Sequence, residues 1–141
     1  MEGRLAATVR WTEKLHLDGK AEFDHSIPLD YGPPLGDGNG IRPMELVLIS
    51  LAGCSGQTVV SLLQKMRQDV RAFSVEAVGT KVEEHPKVFS AIHLTFKVAG
   101  AGLDPAVVEK AVRLSEEKYC PVWAMLKQAV KVSSSVVLES A

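Results

Sequence analysis

The chain has little of several things that would define its chemistry at once. It contains two cysteines in 141 residues and lacks the Cys-x-x-Cys pair that is typical of general thiol–disulfide oxidoreductases. Its formal net charge is −1, which argues against nucleic acid as the main partner because phosphate binding needs a basic patch. What remains is ordinary globular composition, with 46% apolar and 23% charged residues, and a length that predicts one domain over residues 1–141.

A leader segment is also missing from the first residues. The stretch MEGRLAATVRW holds no apolar run of signal-peptide length, so the sequence predicts a cytoplasmic protein. Thiols are kept reduced in that compartment, and two cysteines there are more typical of reactive groups than of a structural disulfide.

Three familiar site signatures are incomplete or missing. The stretch GDGNG at 36–40 lacks the Lys-Ser/Thr of a P-loop and the strand–turn–helix setting of a dinucleotide site, which favours a flexible loop. The four histidines stand singly, with no partner at metal-ligand spacing, so no zinc site is predicted. No Gly-x-Ser-x-Gly elbow is present. The cysteines are therefore the residues most able to carry chemistry.

The spacing of apolar residues predicts an α+β fold. We expect a strand from Arg4 to Trp11 that continues to Leu17, a hairpin turn at Asp18–Gly19 and a second strand over 21–27. Residues 28–42 hold three prolines and four glycines, so they are expected to form a loop, and long loops are usually functional.

A long helix follows, which Pro43 begins and which should extend to about Arg67. No residue from Leu46 to Gln64 is charged. Such a run is also typical of a membrane span, but its eight serine, threonine, glycine and glutamine residues argue against one. A helix that is apolar on most sides must be buried on most sides, so we expect a second subunit to pack against it.

The rest of the chain alternates between strand and helix patterns. Asp104 and Pro105 have the residue types of an N-cap and a first helical position. The expected elements are strands over Phe73–Val82 and Val88–Val98, joined at 84–87, a helix to Leu114, a short helix from Pro121 and a last strand over Val130–Leu138.

The two cysteines allow more than one interpretation. Cys54 lies in the uncharged helix, where the plainest interpretation is a small buried residue. It is too far along the helix for the N-terminal dipole to lower its pKa, so a reactive thiolate would need a nearby arginine or a polar pocket. Cys120 directly precedes Pro121 and so lies at a helix start, where it would ionise more readily. The two thiols could therefore also meet as a nucleophile and its resolving partner.

Two short motifs resemble those of the OsmC/Ohr family, which comprises osmotically inducible protein C and the organic hydroperoxide resistance proteins. The first combines PMEL at 43–46 with Ala-Gly-Cys at 52–54, and the second is YCPV at 119–122. The expected order of strands and helices also matches along nearly the whole chain. The resemblance implies antiparallel sheets wrapped around long central helices in an intertwined homodimer, with two active sites at the subunit interface.

The resemblance also implies a thiol-dependent peroxidase that reduces hydroperoxides, organic ones in particular, in oxidative stress defence. Cys54 would attack the peroxide and become a sulfenic acid, with which Cys120 would condense to a disulfide. A thiol or dithiol would then reduce that disulfide, and no metal, haem or flavin would be needed. The alternative is a non-catalytic binding or structural member of the same fold.

Further site residues follow from the same resemblance. Arg42 and Glu45 are the expected activators of Cys54, although the family's hydroperoxide and osmotic branches place the glutamate where this chain has Met44. On one helix, Glu45 would lie about 13.5 Å along the axis from Cys54 and on the opposite face, so it would act across the dimer interface. The expected substrate pocket is apolar and favours alkyl hydroperoxides. Its residues are Tyr31, Leu35, Trp123 and Met125.

Overall fold

The computed structural model describes residues 3–140 and has the α+β architecture that the sequence predicts. The chain divides into two compact units, an N-terminal unit that ends at Val47 and a C-terminal unit that begins at Leu48. In chain order the elements are β1 (Thr8–Glu13), β2 (His16–Lys20), β3 (Ser26–Leu29), α1 (Pro43–Lys65), β4 (Asp69–Lys81), β5 (Phe89–Ala101), α2 (Pro105–Leu114), a π-helical turn (Ser115–Tyr119), α3 (Pro121–Leu126) and β6 (Lys131–Ser140).

The N-terminal unit contains the antiparallel sheet β1–β2–β3. The prediction of a hairpin turn at Asp18–Gly19 is wrong, because both residues lie within β2. The turn is at Lys14 and Leu15, where Lys14 has a φ of 45°. The Trp11 indole N–H donates to the Lys14 carbonyl oxygen at 2.7 Å, and this local bond closes the turn without an Asp-Gly pair.

Pairing with β2 also corrects the bounds of the neighbouring strands. The first strand begins at Thr8 rather than Arg4, and the third covers Ser26–Leu29 rather than 21–27. Thr8 and Ser26 both pair with Lys20, the last residue of β2, so neither strand has a partner beyond that point.

The loop after β3 is organised around the buried carboxylate of Asp30. This carboxylate accepts hydrogen bonds from the backbone N–H groups of Tyr31, Asp37 and Asn39, at 2.8, 3.3 and 3.1 Å. Burial alone would raise the pKa of Asp30, but these N–H groups and the nearby His16 lower it below its ordinary value. The loop that the sequence predicts therefore has a fixed polar centre.

The C-terminal unit contains the sheet β4–β5–β6, in which β4 is antiparallel to β5 and β6 is parallel to β5. A parallel neighbour needs a long crossover connection, which here contains α2, the π-helical turn and α3. The apolar core of this unit is almost completely buried. It includes Leu51, Val59, Leu63, Ile92, Leu94, Phe96, Val98, Val108 and Ala111.

Helix α1 packs on β4 at a glycine. A Cβ atom added to Gly56 would lie 3.2 Å from Val75 Cγ2 and 3.4 Å from Phe73 Cε2, so the missing side chain lets the helix approach the sheet closely. The helix ends at Lys65, slightly before the expected Arg67. Arg67 has a φ of 60°, and the Gln68 N–H bonds to the Leu63 carbonyl at 3.0 Å, which is a common way for a helix to end.

Helix α1 is also long and apolar enough to cross a membrane, with a mean hydropathy of 1.8 over 18 residues, of which 28% are buried within this chain. The core helix of a soluble protein meets the same criterion. The serine, threonine and glutamine residues within the run favour a helix packed against protein.

The helix starts in the second half of the chain follow local signals. The Asp104 side chain accepts a hydrogen bond from the Ala106 N–H at 3.0 Å, and Pro105 occupies the first helical position. Helix α3 begins at Pro121 as expected. The five-residue π-helical turn between α2 and α3 is a feature that the sequence analysis did not predict.

Candidate active site

The two thiols meet in the C-terminal unit. Cys54 lies in the middle of α1 and is partly exposed, whereas Cys120 lies directly before α3 and is only 2% exposed. Neither cysteine is in a disulfide. Ser55, the neighbour of Cys54 on α1, has its Oγ 3.3 Å from Cys120 Sγ, and Cys120 raises the pKa of Cys54, so the two thiols lie close together. The structure therefore brings together the two residues that the sequence analysis singled out, although they lie far apart in the chain.

Cys120 is positioned at the point where the chain leaves the π-helical turn. Its N–H donates to the Ser115 carbonyl at 2.9 Å, and its backbone is extended, with φ −83° and ψ 105°. Its sulfur accepts a hydrogen bond from the backbone N–H of Trp123 at 3.4 Å and shares another with Ser55 Oγ at 3.3 Å. The Cys120 sulfur thus has two hydrogen-bonding partners, Ser55 and the backbone of Trp123.

The surroundings of Cys54 within this chain favour its neutral thiol. Burial raises the pKa of Cys54, and the hydrogen bond and charge of Cys120 raise it further. Among the described residues, only a hydrogen bond from the backbone of Val122 acts in the opposite direction. The Thr58 hydroxyl bonds to the Cys54 carbonyl at 2.9 Å and so ties the backbone rather than the sulfur.

Arg42 and Glu45 form an ion pair in the N-terminal unit. Arg42 Nε lies 3.1 Å from Glu45 Oε1, and Nη2 donates to Oε2 at 3.2 Å, which is a two-point contact. The Arg42 N–H also donates to Oε1 at 3.0 Å. The guanidinium holds the pKa of Glu45 below its ordinary value, and Glu45 raises the pKa of Arg42. The glutamate therefore fixes the orientation of the arginine.

The four residues expected to line a pocket differ in exposure. Trp123 is buried and its N–H contacts Cys120, whereas Met125, two residues later, faces solvent. Tyr31 and Leu35 are both exposed in the N-terminal unit. Each side chain other than Trp123 is thus available to a molecule outside the chain.

Ser55 is a site residue that the sequence analysis did not single out. It follows Cys54 directly, is completely buried and bonds to Cys120 rather than to a carbonyl of its own helix. A buried hydroxyl needs a partner, so a serine in an apolar helix next to a cysteine is a signal that could have found it. Among residues 3–140 no group of three or more His, Cys, Asp or Glu side chains is arranged to hold a metal ion.

Comparison with known sequences identifies the family. A family model described as OsmC-like protein matches residues 36–135, and protein YhfA of Escherichia coli K12 is 43% identical over 131 residues, which are 93% of this chain and 96% of YhfA. The chain belongs to the OsmC-like family, as the two cysteine motifs predict. Membership of this family points to a redox or peroxide-related function.

Solved structures confirm the fold. A hypothetical protein from Aquifex aeolicus VF5 is 32% identical with a TM-score of 0.83, and the match covers 99% of both chains. A Legionella pneumophila protein described as "organic hydroperoxide resistance protein OsmC, predicted redox protein, regulator of sulfide bond formation" has a TM-score of 0.69. It is 18% identical, with 96% of this chain and 98% of that chain covered, so this likeness shows the fold alone.

Proposed function

We propose that the protein is a thiol-based peroxidase that reduces hydroperoxides, organic ones in particular, in the cytoplasm as part of oxidative stress defence. The observation that carries this proposal is the proximity of the two thiols: Ser55 Oγ, next to Cys54 on α1, lies 3.3 Å from Cys120 Sγ, and Cys120 raises the pKa of Cys54. The description of the Legionella pneumophila protein of the same fold as an organic hydroperoxide resistance protein adds support.

The chemistry proceeds in two steps. The Cys54 thiolate attacks one oxygen of the hydroperoxide, the O–O bond breaks, and the alkoxide takes a proton and leaves as an alcohol. The resulting Cys54 sulfenic acid is attacked by the Cys120 thiolate, and hydroxide leaves as water after taking a proton. Because Cys120 Sγ already lies 3.3 Å from Ser55, the neighbour of Cys54, we expect the disulfide to form without a large movement of either helix.

A cation must be supplied to Cys54, because the thiolate rather than the thiol is the nucleophile. Within this chain burial and Cys120 raise the pKa of Cys54. Arg42 is the candidate, since Glu45 holds its guanidinium at two points. Cys54 lies nine positions after Glu45 on α1, which is about 13.5 Å along the helix axis. Because Glu45 holds Arg42 at that distance, we propose that a second copy of the chain supplies Arg42 to Cys54.

An apolar groove in the C-terminal unit supports a homodimer. It lies between α1 and β4, has a volume of about 640 Å³ and opens to solvent. Its lining includes Ile49, Ala52, Gly53, Val60, Phe73 and Val75. An apolar surface of this kind on the uncharged part of α1, residues 46–64, is best covered by a partner, and a second copy would also bring the required arginine.

The expected substrate is an alkyl hydroperoxide. Tyr31, Leu35, Trp123 and Met125 are large and apolar or aromatic, and we propose that they surround the thiols in the dimer. Each buried methylene group of a substrate contributes about 0.8 kcal/mol, so a few carbon atoms give a preference of roughly tenfold or more over hydrogen peroxide.

A binding or structural role is the second candidate. Two observations favour it: the pKa of Cys54 is raised, and Met44 occupies the position where the family's peroxidase branches have glutamate. In that case the thiols would be incidental to a ligand-binding surface.

The test is peroxide-dependent consumption of a dithiol by the purified protein, with tert-butyl hydroperoxide and hydrogen peroxide compared side by side. Cys54→Ser should abolish turnover, whereas Cys120→Ser should accumulate a sulfenic acid that dimedone traps and mass spectrometry locates on Cys54. Full activity of Cys54→Ser would refute the assignment. Failure of the parent to consume either peroxide would favour the binding role.

A further inference from the structure

We propose that Ser55 makes Cys120 the leaving sulfur when a thiol reduces the Cys54–Cys120 disulfide. This inference rests on the proposed function only in requiring that disulfide. It assigns a role to a residue outside the two cysteine motifs and predicts which sulfur the reductant attacks.

The hydrogen bonds around Cys120 carry the inference. Ser55 Oγ lies 3.3 Å from Cys120 Sγ, and the Trp123 N–H donates to the same sulfur at 3.4 Å. Ser55 is completely buried and Cys120 nearly so, so water does not replace either bond. A hydrogen bond to a buried charged group is stronger than one between neutral groups, because little solvent competes for it.

The direction of the Ser55 bond depends on the state of Cys120. Between two neutral groups, either the hydroxyl or the thiol can donate. A thiolate carries no hydrogen, so Ser55 must then donate, and the sulfur anion receives both the hydroxyl and the Trp123 N–H. The pair is therefore arranged to accept negative charge on Cys120.

Cys54 has fewer such partners within this chain, because only the backbone of Val122 favours its charged form, whereas Cys120 has both Ser55 and the Trp123 backbone N–H. The backbone carbonyl of Cys54, rather than its sulfur, receives the Thr58 hydroxyl. Its sulfur is also the more accessible of the two, since Cys54 is partly exposed and Cys120 is buried. Access favours attack at Cys54, and the hydrogen bonds favour departure of Cys120.

These features decide the course of the reduction. A thiolate RS⁻ attacks Cys54 Sγ, an R–S–S–Cys54 bond forms, and the bond between the two cysteines breaks with its electron pair on Cys120 Sγ. Thiol–disulfide exchange is faster when the leaving thiolate is more stable, so Ser55 and the Trp123 N–H accelerate this step. A second thiolate then attacks the sulfur of R, which releases R–S–S–R and the Cys54 thiolate.

The test uses protein oxidised with diamide, so that it does not depend on peroxidase activity. The disulfide is mixed with 2-mercaptoethanol, quenched in acid within one turnover, and the adduct is mapped by mass spectrometry. In the parent the adduct should lie on Cys54. In Ser55→Ala the reduction should slow by about tenfold, and part of the adduct should move to Cys120.

Two further variants separate this role from packing. Ser115→Ala is a matched control, because Ser115 is also completely buried but its hydroxyl has no hydrogen-bond partner among the described residues, and it should behave as the parent. Ser55→Thr keeps the hydroxyl and should restore the rate and the position of the adduct. If the extra methyl group prevents folding, the comparison of Ser55→Ala with Ser115→Ala decides alone.

Three results would overturn the inference: a parent adduct on Cys120, an unchanged rate and adduct position in Ser55→Ala, or an equal loss in Ser115→Ala. A disulfide that diamide cannot form would overturn it together with the peroxidase. The expected adducts without hydroperoxide turnover would instead sustain the inference and reject the proposed function.

Discussion

Each of the two units of the chain is stabilised by a different kind of internal interaction. The C-terminal unit has an apolar core in which nine side chains from α1, β5 and α2 are almost inaccessible to solvent. The N-terminal unit exposes β1 along its whole length, and Phe23 is 77% exposed. Its most buried side chain is the polar Asp30. The N-terminal sheet therefore shows an apolar surface without a core beneath it, whereas the C-terminal unit buries a core of its own and leaves only the groove between α1 and β4 open.

The same division runs through the candidate site. Both thiols and Ser55 belong to the unit with the core, and the Arg42–Glu45 pair belongs to the other. A buried framework suits groups that must meet at bonding distance. An exposed ion pair suits a group that is presented to another molecule.

The largest expected effect is loss of the C-terminal core. Leu94→Ala should lower the free energy of unfolding by about 3 kcal/mol, because it removes a completely buried side chain and leaves a cavity. Val78→Ala on the exposed face of the same sheet is the control and should change it by less than about 1 kcal/mol. Denaturant titration measures both. Equal costs would contradict the placement of the core on one face of the sheet.

The second prediction tests whether a second copy of the chain covers the exposed apolar surface of the N-terminal unit. If a second copy covers it, Val9→Asp combined with Phe23→Asp should weaken the dimer by far more than tenfold, since burial of each side chain contributes about 1.5–3 kcal/mol. Light scattering at micromolar concentration should then change from about twice the chain mass to the chain mass. Ala21→Asp adds the same charge beside Phe23 without removing a large apolar group and should leave the dimer intact. A monomeric parent would reject the homodimer.

The third prediction tests whether Arg42 lowers the pKa of Cys54. Arg42→Ala should raise the pKa of Cys54 and slow its alkylation near neutral pH by about tenfold, because the thiolate loses its cation. Glu45→Gln should act in the same direction more weakly, since it only orients the guanidinium. Arg71→Ala removes another exposed arginine that is paired with a carboxylate, Asp69, and serves as the control. Parent-like titration of Cys54 in both site variants would exclude them as activators.

The smallest effects concern two acids with opposite pH dependence. The lowered pKa of Asp30 means that its stabilisation is present above its ordinary pKa and is lost as pH falls through the lower folded value. Burial raises the pKa of Glu116, despite its hydrogen bond with Ser134, and the charge of Glu117 raises it further. Its stabilisation is therefore present below its ordinary pKa and is lost as pH rises through the folded value.

Thermal unfolding of variants measures this difference. Asp30→Asn should lower the melting temperature at neutral pH but not in acid, whereas Glu116→Gln should raise it at neutral pH and lose that advantage in acid. Asp24→Asn, at a highly exposed side chain, is the control. Parallel pH dependence of the two test variants would contradict the assigned environments.

Local signals in the sequence predicted the elements that depend on a few neighbouring residues. Pro43 marks the start of α1, and Asp104 caps α2 as its residue type indicates. The first hairpin was misplaced because a hydrogen bond from the Trp11 side chain to the Lys14 carbonyl outweighs the Asp-Gly signal. Composition gives no sign of such a bond.

The site shows the same limit. The motifs around Cys54 and Cys120 predicted that these thiols belong together, and the structure places Cys120 Sγ 3.3 Å from Ser55, the residue after Cys54. Ser55 escaped notice because its role depends on Cys120, which approaches it only after α1 and α3 have packed. A serine beside a cysteine in an apolar helix indicates a buried hydroxyl that needs a partner, but no local pattern identifies a partner so distant in the chain.

The π-helical turn before Cys120 sets the direction in which the chain leaves the helix at that residue. A π turn holds about one residue more than an α turn, and one helical residue corresponds to about 100° of rotation and 1.5 Å of rise. Deleting a single residue between Ser115 and Tyr119 would restore a regular helix and rotate the exit of the chain by roughly that angle. Cys120 would then leave the helix in a different direction from Ser55 and Cys54. The irregular turn thus directs the chain so that Cys120 faces the helix that carries Cys54 and Ser55.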